Sequence, residues 1–286
     1  MGMELIKSVI KSVPGAHSLY FPRRLRIALT YLQVPLAGVI KWLIHSKEIS
    51  NFTYDLAAEN IDYLTSFLAV ILDTKPSVIG SYIEELSGDA DLKAHLSARL
   101  KARSSKLFVD QEIRYGRRLG WYAVVRHLKP KVVIETGVDK GLGTSVLAAA
   151  LLRNSMDGFP GHVWGIDIDP KAGWMLSGKY LKTGTIIADD AIAAIRKFHL
   201  PVDLYINDSD HSKDYEFREY HEIQKKLAPN AIVLGDNAHC SDSLFRYSRE
   251  VDRQFLYWQE QPQNHWYRGG GIGASYIRET GSHAER

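Results

Sequence analysis

Polar residues that could bind a metal ion lie at two places in the second half of the chain. Asp208 follows the largely apolar run 203–207, and Asp236 and Asn237 follow the run 231–235. If both runs are neighbouring strands of a parallel sheet, their carboxyl ends meet at the edge where α/β proteins bind ligands. Three oxygen ligands near one point suit Mg²⁺, which takes substrate oxygens as further ligands. Such an ion would hold a hydroxyl or a vicinal diol and lower its pKa.

A strand-to-helix turn with two glycines lies earlier in the chain. The apolar run 132–134 leads into Glu135, Thr136 and Gly137, and Gly141 follows. Glycine at such a turn lets the backbone approach a bound ligand closely. A merely tight turn would use glycine as well, so the motif alone does not establish a ligand site.

The residues after Gly141 distinguish this turn from a dinucleotide-binding loop. Gly141 and Gly143 match the first two glycines of the G-x-G-x-x-G fingerprint, but the third glycine is replaced by Val146. A hydroxyl from Thr144 or Ser145 is predicted to cap the helix that follows. A second near match at 269–274 lies too near the C-terminus for a βαβ unit. The sequence therefore disfavours an NAD-dependent enzyme.

The elements that position these groups are predicted to be strands alternating with helices from about residue 129 onward. This alternation is typical of a parallel sheet, and right-handed crossovers fit a doubly wound arrangement. The predicted strands are 131–135, 162–167, 185–187, 203–207, 231–235, 255–259 and 272–278. The predicted helices are 144–153, 171–181, 191–198, 215–227 and 241–254, with Asp169 and Pro170 expected to start the second of them.

The first part of the chain is predicted to be a helical extension. Apolar residues recur at helical spacing in 55–72, and further helices are expected at 78–86, capped by Ser77, and at 91–104. We expect residues 1–118 to form a cap over a substrate pocket and residues 119–286 to form the main domain.

Charge and cysteine content limit the classes of function. The chain of 286 residues has 36 basic and 33 acidic residues, a formal charge of +3, which disfavours a nucleic-acid partner. A single cysteine, Cys240, and no visible secretory signal favour a cytoplasmic protein. The uncharged run 27–40 is shorter than the roughly 20 residues that span a bilayer. We therefore interpret this segment as helices that are buried or self-associate, and not as a membrane contact through 23–44. Self-association of these helices predicts a homo-oligomer.

The order of these motifs resembles that of class I S-adenosylmethionine (SAM)-dependent methyltransferases over about residues 130–280. The resemblance implies a Rossmann-like α/β fold, with a mostly parallel seven-stranded sheet, its last strand antiparallel, and helices on both faces. Glu135 would hydrogen-bond the ammonium group of SAM or fix the loop, Asp167 would hold the ribose hydroxyls, and Asp190 would accept from the adenine amino group or cap a helix. The expected SAM-binding residues are Glu135, Thr136, Gly137, Gly141, Thr144, Ser145, Asp167, Asp190 and Asp208.

Within this superfamily, the ends of the fourth and fifth strands resemble metal-dependent small-molecule O-methyltransferases. The step from Asp208 to His211 is similar to that of antibiotic-sugar enzymes, in which the aspartate binds Mg²⁺ and the histidine is the general base. Asp236-Asn237 is instead like the catechol type, whose base is a lysine, so Lys213 is the second candidate. Many class I methyltransferases carry a similar Asp-x-Asp-His run without a metal, and His211 could simply make a hydrogen bond at the strand end.

These observations predict transfer of a methyl group from SAM to a hydroxyl of a small molecule. The predicted catalytic residues are His211, Asp208 and Lys213, and the predicted Mg²⁺ ligands are Asp208, Asp236 and Asn237. A sugar or glycosylated natural product is the first choice of acceptor, and a catechol or other phenol is the second. A non-methylating SAM-binding relative stays open as an alternative. The aromatic stretch 257–267 would either line the acceptor site or pack the terminal strands.

Overall fold

The structure, a computed structural model, describes residues 21–31, 36–46, 48, 52–103 and 112–278. The chain divides into two compact units, one of residues 1–46 with 264–266 and one of the remainder. The described part of the first unit contains helices α1 (Phe21–Tyr31) and α2 (Leu36–His45). Among the described residues, no helix is both long and apolar enough to cross a membrane.

The second unit is built on a seven-stranded sheet. Its strands are β1 (Val132–Thr136), β2 (His162–Asp167), β3 (Gly184–Ala188), β4 (Val202–Asn207), β5 (Leu227–Asp236), β6 (Gln254–Gln259) and β7 (Gly271–Tyr276). They lie in the order β3-β2-β1-β4-β5-β7-β6. The first five are parallel, whereas β7 is antiparallel to both β5 and β6. The predicted sheet with a late antiparallel strand is therefore confirmed.

Helices cover both faces of the sheet because its inner strands are apolar on both sides. Neighbouring residues of β1 show this: Val133 packs into one core, and Val132 and Ile134 pack into the other. The first core also takes in α3 (Ala58–Ile71), α4 (Pro76–Ser87), α5 (Ala90–Arg103), α6 (Arg118–Leu128) and α7 (Leu142–Met156). The second contains α8 (Ala191–Lys197), α9 (Lys213–Gln224) and α10 (Ser243–Glu250).

The first turn of α3 and the segment before it are joined to the far edge of the sheet. The Asn60 side chain donates to the carbonyl of Gln259 at 3.0 Å and accepts from the amide of Gln261 at 2.8 Å. Leu56 and Pro262 form an antiparallel bridge beside it. The helices α3–α5 therefore belong to the same compact unit as the sheet, and the boundary expected at 118/119 stays a prediction.

Three local predictions are wrong. No helix spans 171–181, where turns lead to a short 3-10 segment, Gly178–Lys182. Gly173 and Gly178, both at positive φ, interrupt the predicted helix. Asp169 consequently caps no α-helix and instead accepts from the amide of Lys171 at 2.9 Å. Ser77 does not cap α4, because the helix already begins at Pro76.

Candidate active site

One large cavity lies at the carboxyl ends of the central strands. Its volume is about 1130 Å³, at the upper end of the range for small-molecule sites. The sheet and its loops supply one part of the wall, and residues from 48 to 118 supply another. Among the predicted site residues, those that line it are Glu135, Gly137, Asp167, Asp190, Asp208, His211 and Asn237.

The glycine turn after β1 forms the floor of this cavity. Gly137 has φ +82°, and a Cβ there would overlap the carbonyl oxygen of Asp208. Gly141 has φ +95°, and its Cβ would lie 2.8 Å from the Cα of Gly173. Both positions combine a left-handed backbone with close backbone contact, so only glycine is free of strain there.

Asp167, at the end of β2, holds the glycine turn in place. One of its carboxylate oxygens accepts from the backbone amides of Val138 at 2.8 Å and Asp139 at 2.9 Å. The other accepts from the amide of Asp169 at 2.9 Å. The side chain is half-buried and lines the cavity, and its predicted contact with the ribose hydroxyls stays a prediction.

Glu135 lies beneath the turn rather than on an open surface. The side chain is buried, and Thr144 donates a hydrogen bond to it. Burial raises the pKa of Glu135 to about 8, although the hydrogen bond from Thr144 opposes this rise. The carboxyl group is therefore protonated at neutral pH in the ligand-free protein.

The proton on Glu135 predicts a pH dependence of stability. The folded protein keeps this proton up to about pH 8, whereas the unfolded chain loses it near 4.5. The associated stability is complete below pH 4.5 and is lost as the pH rises through 8. We expect the free energy of unfolding to fall by about 2 kcal/mol more between pH 6 and pH 8 in the wild type than in Glu135→Gln. Urea titrations of both proteins measure this; parallel pH profiles would show that Glu135 is ionised.

The predicted caps of α7 are wrong. Gly141 occupies the N-cap position and α7 begins at Leu142, which places Thr144 and Ser145 inside its first turn. The Ser145 hydroxyl donates to the carbonyl of Gly141 at 2.6 Å. Thr136, at the end of β1, donates to Glu219 at 2.5 Å. These three side chains are buried and support the turn from behind.

Asp190 caps α8. One of its oxygens accepts from the amide of Ala193 at 2.9 Å, and the other accepts from the Tyr215 hydroxyl at 2.8 Å. The alternative of a helix cap is thus confirmed. Asp190 also lines the cavity, and its predicted contact with adenine stays a prediction.

The strand-end residues singled out for chemistry do come together. Asp208, His211 and Asp236 each offer an atom within 4.8 Å of the others. Nε2 of His211 lies 3.7 Å from Oδ1 of Asp208 and 3.3 Å from Nδ2 of Asn237. No described residue hydrogen-bonds Nδ1 of His211, and the ring lines the cavity.

Lys213 does not join this group. It is the first residue of α9, and its ammonium pairs with Asp242 at 2.7 Å on the exposed surface. It is not part of the cavity wall. The structure therefore places His211, but not Lys213, beside the strand-end carboxylates.

Arg117, the residue just before α6, lies among these strand-end carboxylates and was not predicted from the sequence. Its Nε contacts one oxygen of Asp236, and its Nη2 donates to the other at 2.7 Å. Nη2 also lies 3.5 Å from Asp208, and Nη1 lies 3.6 Å from Glu260. Burial opposes the charge, but these carboxylates raise the pKa of Arg117 well above its ordinary value, so it stays protonated.

The residues expected to bind Mg²⁺ do not fit a metal ion in this arrangement. Asp236 is fully buried, both of its oxygens contact Arg117, and one also accepts from Nδ2 of Asn237 at 2.8 Å. Asp236 does not line the cavity, whereas Arg117 does. The guanidinium thus stands between Asp236 and the cavity, on the side from which an ion would enter.

Comparison with known proteins relates part of this chain to methyltransferases. Residues 134–238 match the family model described as a methyltransferase domain. No curated protein matches the chain. A methyltransferase structure from Geobacter sulfurreducens has 19% identity and a TM-score of 0.49, covering 71% of this chain and 98% of that one.

Two further solved structures are similar at a comparable level. An O-methyltransferase from Bacillus cereus, in complex with S-adenosylhomocysteine (SAH), has 14% identity and a TM-score of 0.44, covering 76% of this chain and 99% of that one. The O-methyltransferase TomG from Streptomyces achromogenes, in complex with SAM, has 15% identity and a TM-score of 0.45, covering 66% and 90%.

The sheet order and its antiparallel β7 define a class I methyltransferase fold. The family model that matches residues 134–238 covers the part of the chain from β1 to β5.

Proposed function

We propose that this protein transfers the methyl group of SAM to a hydroxyl of a small molecule, with His211 as the general base. One observation carries the proposal: a single cavity is lined both by the glycine turn with Asp167 and by His211. A methyl donor on the turn and an acceptor near the imidazole would therefore share one enclosed space. Holding two reactants in this way supplies much of the rate enhancement in group transfer.

The residues of the chain divide the work between binding and proton transfer. The turn at Gly137 and the carboxylates of Asp167 and Asp190 bind and orient the donor. SAM supplies a methyl group on a positively charged sulfur, so no covalent intermediate with the enzyme is needed. His211 accepts the hydroxyl proton at Nε2 or Nδ1 as the oxygen attacks, which suits an imidazole at neutral pH.

The cavity wall favours an acceptor with a flat or ring-shaped apolar face. Phe52 and Tyr54 lie 4.9 Å and 5.9 Å, between ring centroids, from Tyr267, and all three rings line the cavity. Rings of this kind stack on sugars and on aromatic groups. We propose a sugar or glycosylated natural product as the acceptor, and a catechol-like phenol as the second candidate.

The proposal predicts that the protein binds SAH, the product form of the donor. Calorimetric titration should give micromolar affinity for the wild type. Asp167→Asn should weaken it by about tenfold or more, because the amide oxygen can replace only one of the two carboxylate oxygens that accept from backbone amides, and the negative charge is lost. Asp62→Asn, at an exposed helical position, is the matched control and should bind as the wild type does. A wild type that binds no SAH would overturn the proposal.

Turnover separates the enzyme from a SAM-binding protein without activity. The wild type is incubated with SAM and a panel of sugars, glycosides and catechols, and the products are analysed by mass spectrometry. Gain of one methyl group on a hydroxyl supports the proposal. SAH binding without methylation of any panel member would favour the non-methylating alternative.

A further inference from the structure

We propose that Arg117 is the resident cation of the carboxylate cluster, so that methyl transfer proceeds without a divalent metal ion on Asp208 and Asp236. This inference rests on the proposed function and specifies how its site is charged. The cluster is defined here as Asp208, Asp236 and Glu260.

The guanidinium of Arg117 contacts three carboxylates. Nη2 of Arg117 donates a hydrogen bond to one oxygen of Asp236 at 2.7 Å, and Nε forms an ion-pair contact with the other oxygen. Nη2 reaches Asp208 at 3.5 Å and Nη1 reaches Glu260 at 3.6 Å. All three nitrogens of the Arg117 guanidinium therefore face carboxylate oxygens. The guanidinium thus takes the position among these oxygens that a bound metal ion would occupy.

The fold holds Arg117 in this position. The guanidinium lies over the Trp121 ring at 5.8 Å, and that ring is fully buried within α6. The side chain of Arg117 is itself only 13% exposed. A metal ion would have to displace a buried charged group from a cation–π contact and from three carboxylates, which is strongly unfavourable.

This arrangement gives Asp208 a different task from that of a metal ligand. Its Oδ2 faces Arg117 at 3.5 Å, while Oδ1 faces Nε2 of His211 at 3.7 Å. The carboxylate is thus placed to stabilise the imidazolium that forms when His211 takes the acceptor proton. Arg117 acts through Asp208 and is a positioning residue, because it does not itself touch the reacting atoms.

The test is Mn²⁺ calorimetry on the wild type and on Arg117→Met, which keeps an unbranched side chain but removes the charge. The wild type should bind no Mn²⁺ up to millimolar concentration. The variant should bind it at least tenfold more tightly, and the added substitution Asp236→Asn should abolish that binding. Arg118→Met, the same change at the neighbouring residue, should bind no Mn²⁺.

The wild type decides the question even if Arg117→Met does not fold. Wild-type Mn²⁺ binding that Asp208→Asn removes would overturn the inference, as would a folded Arg117→Met that binds SAH but no Mn²⁺. On an acceptor that is methylated, EDTA should change the wild-type rate by less than about twofold, and a loss of tenfold or more would also overturn it. Failure of the wild type to bind SAH is a separate outcome, because it contradicts the proposed function but does not affect the Mn²⁺ titration.

Discussion

Replacing His211 with glutamine is expected to lower kcat for methyl transfer by about 10²- to 10⁴-fold, the usual contribution of a general base. Glutamine keeps a polar group of similar size but cannot take the hydroxyl proton. The affinity for SAH should stay within about twofold of the wild type, because the donor is held by the glycine turn and the carboxylates of Asp167 and Asp190. Steady-state kinetics on a methylated acceptor and SAH calorimetry together measure both quantities.

His239→Gln is the matched control for this experiment. His239 is close in sequence to the cluster but exposed and absent from the cavity wall, so its variant should keep the wild-type kcat. If His211→Gln also kept the wild-type kcat, His211 would be a strand-end hydrogen-bonding residue, which was the alternative left open by the sequence.

Gly137→Ala is expected to cost about 3 kcal/mol or more in the free energy of unfolding and to abolish detectable SAH binding. An alanine Cβ at this position overlaps the carbonyl oxygen of Asp208, and that backbone cannot move without disturbing the end of β4. The positive φ of 82° adds the cost of a left-handed backbone. Urea unfolding and SAH calorimetry measure the two effects.

Gly158→Ala isolates the backbone contribution. Gly158 has φ +90°, and an added Cβ there meets nothing within 4 Å. Its variant should lose only about 1 to 2 kcal/mol of stability and keep its SAH affinity. If the two variants lost equal free energy of unfolding, the close contact between the glycine turn and the end of β4 would not contribute to stability.

The sheet was predictable because each of its strands is a short apolar run bounded by turns. His162–Asp167 was predicted with the bounds it has in the structure, and the other strands differ at one or both ends. The helix expected at 171–181 failed for a local reason, since Gly173 and Gly178 need positive φ. Spacing of apolar residues does not report that requirement.

The site was predictable only where strand ends determine it. Asp208 and Asp236 end neighbouring parallel strands, and the register of β4 and β5 brings them together. Arg117 and Glu260 come from outside that pair of strands, from the start of α6 and the end of β6. A signal for Arg117 was present in the sequence, because Arg117 and Arg118 precede the apolar stretch 119–125, but nothing local indicated the distant partners of Arg117.

The burial of Asp236 and Glu260 has a consequence for the order of folding. Both carboxylates are shielded from solvent, and an unpaired buried charge is strongly destabilising. Their common counter-charge, Arg117, comes from the helical layer that precedes the sheet in sequence. A folding intermediate with a complete sheet but an undocked α6 would hold two carboxylates without a cation. We therefore expect docking of α6 and formation of the hairpin of β6 and β7 to be cooperative.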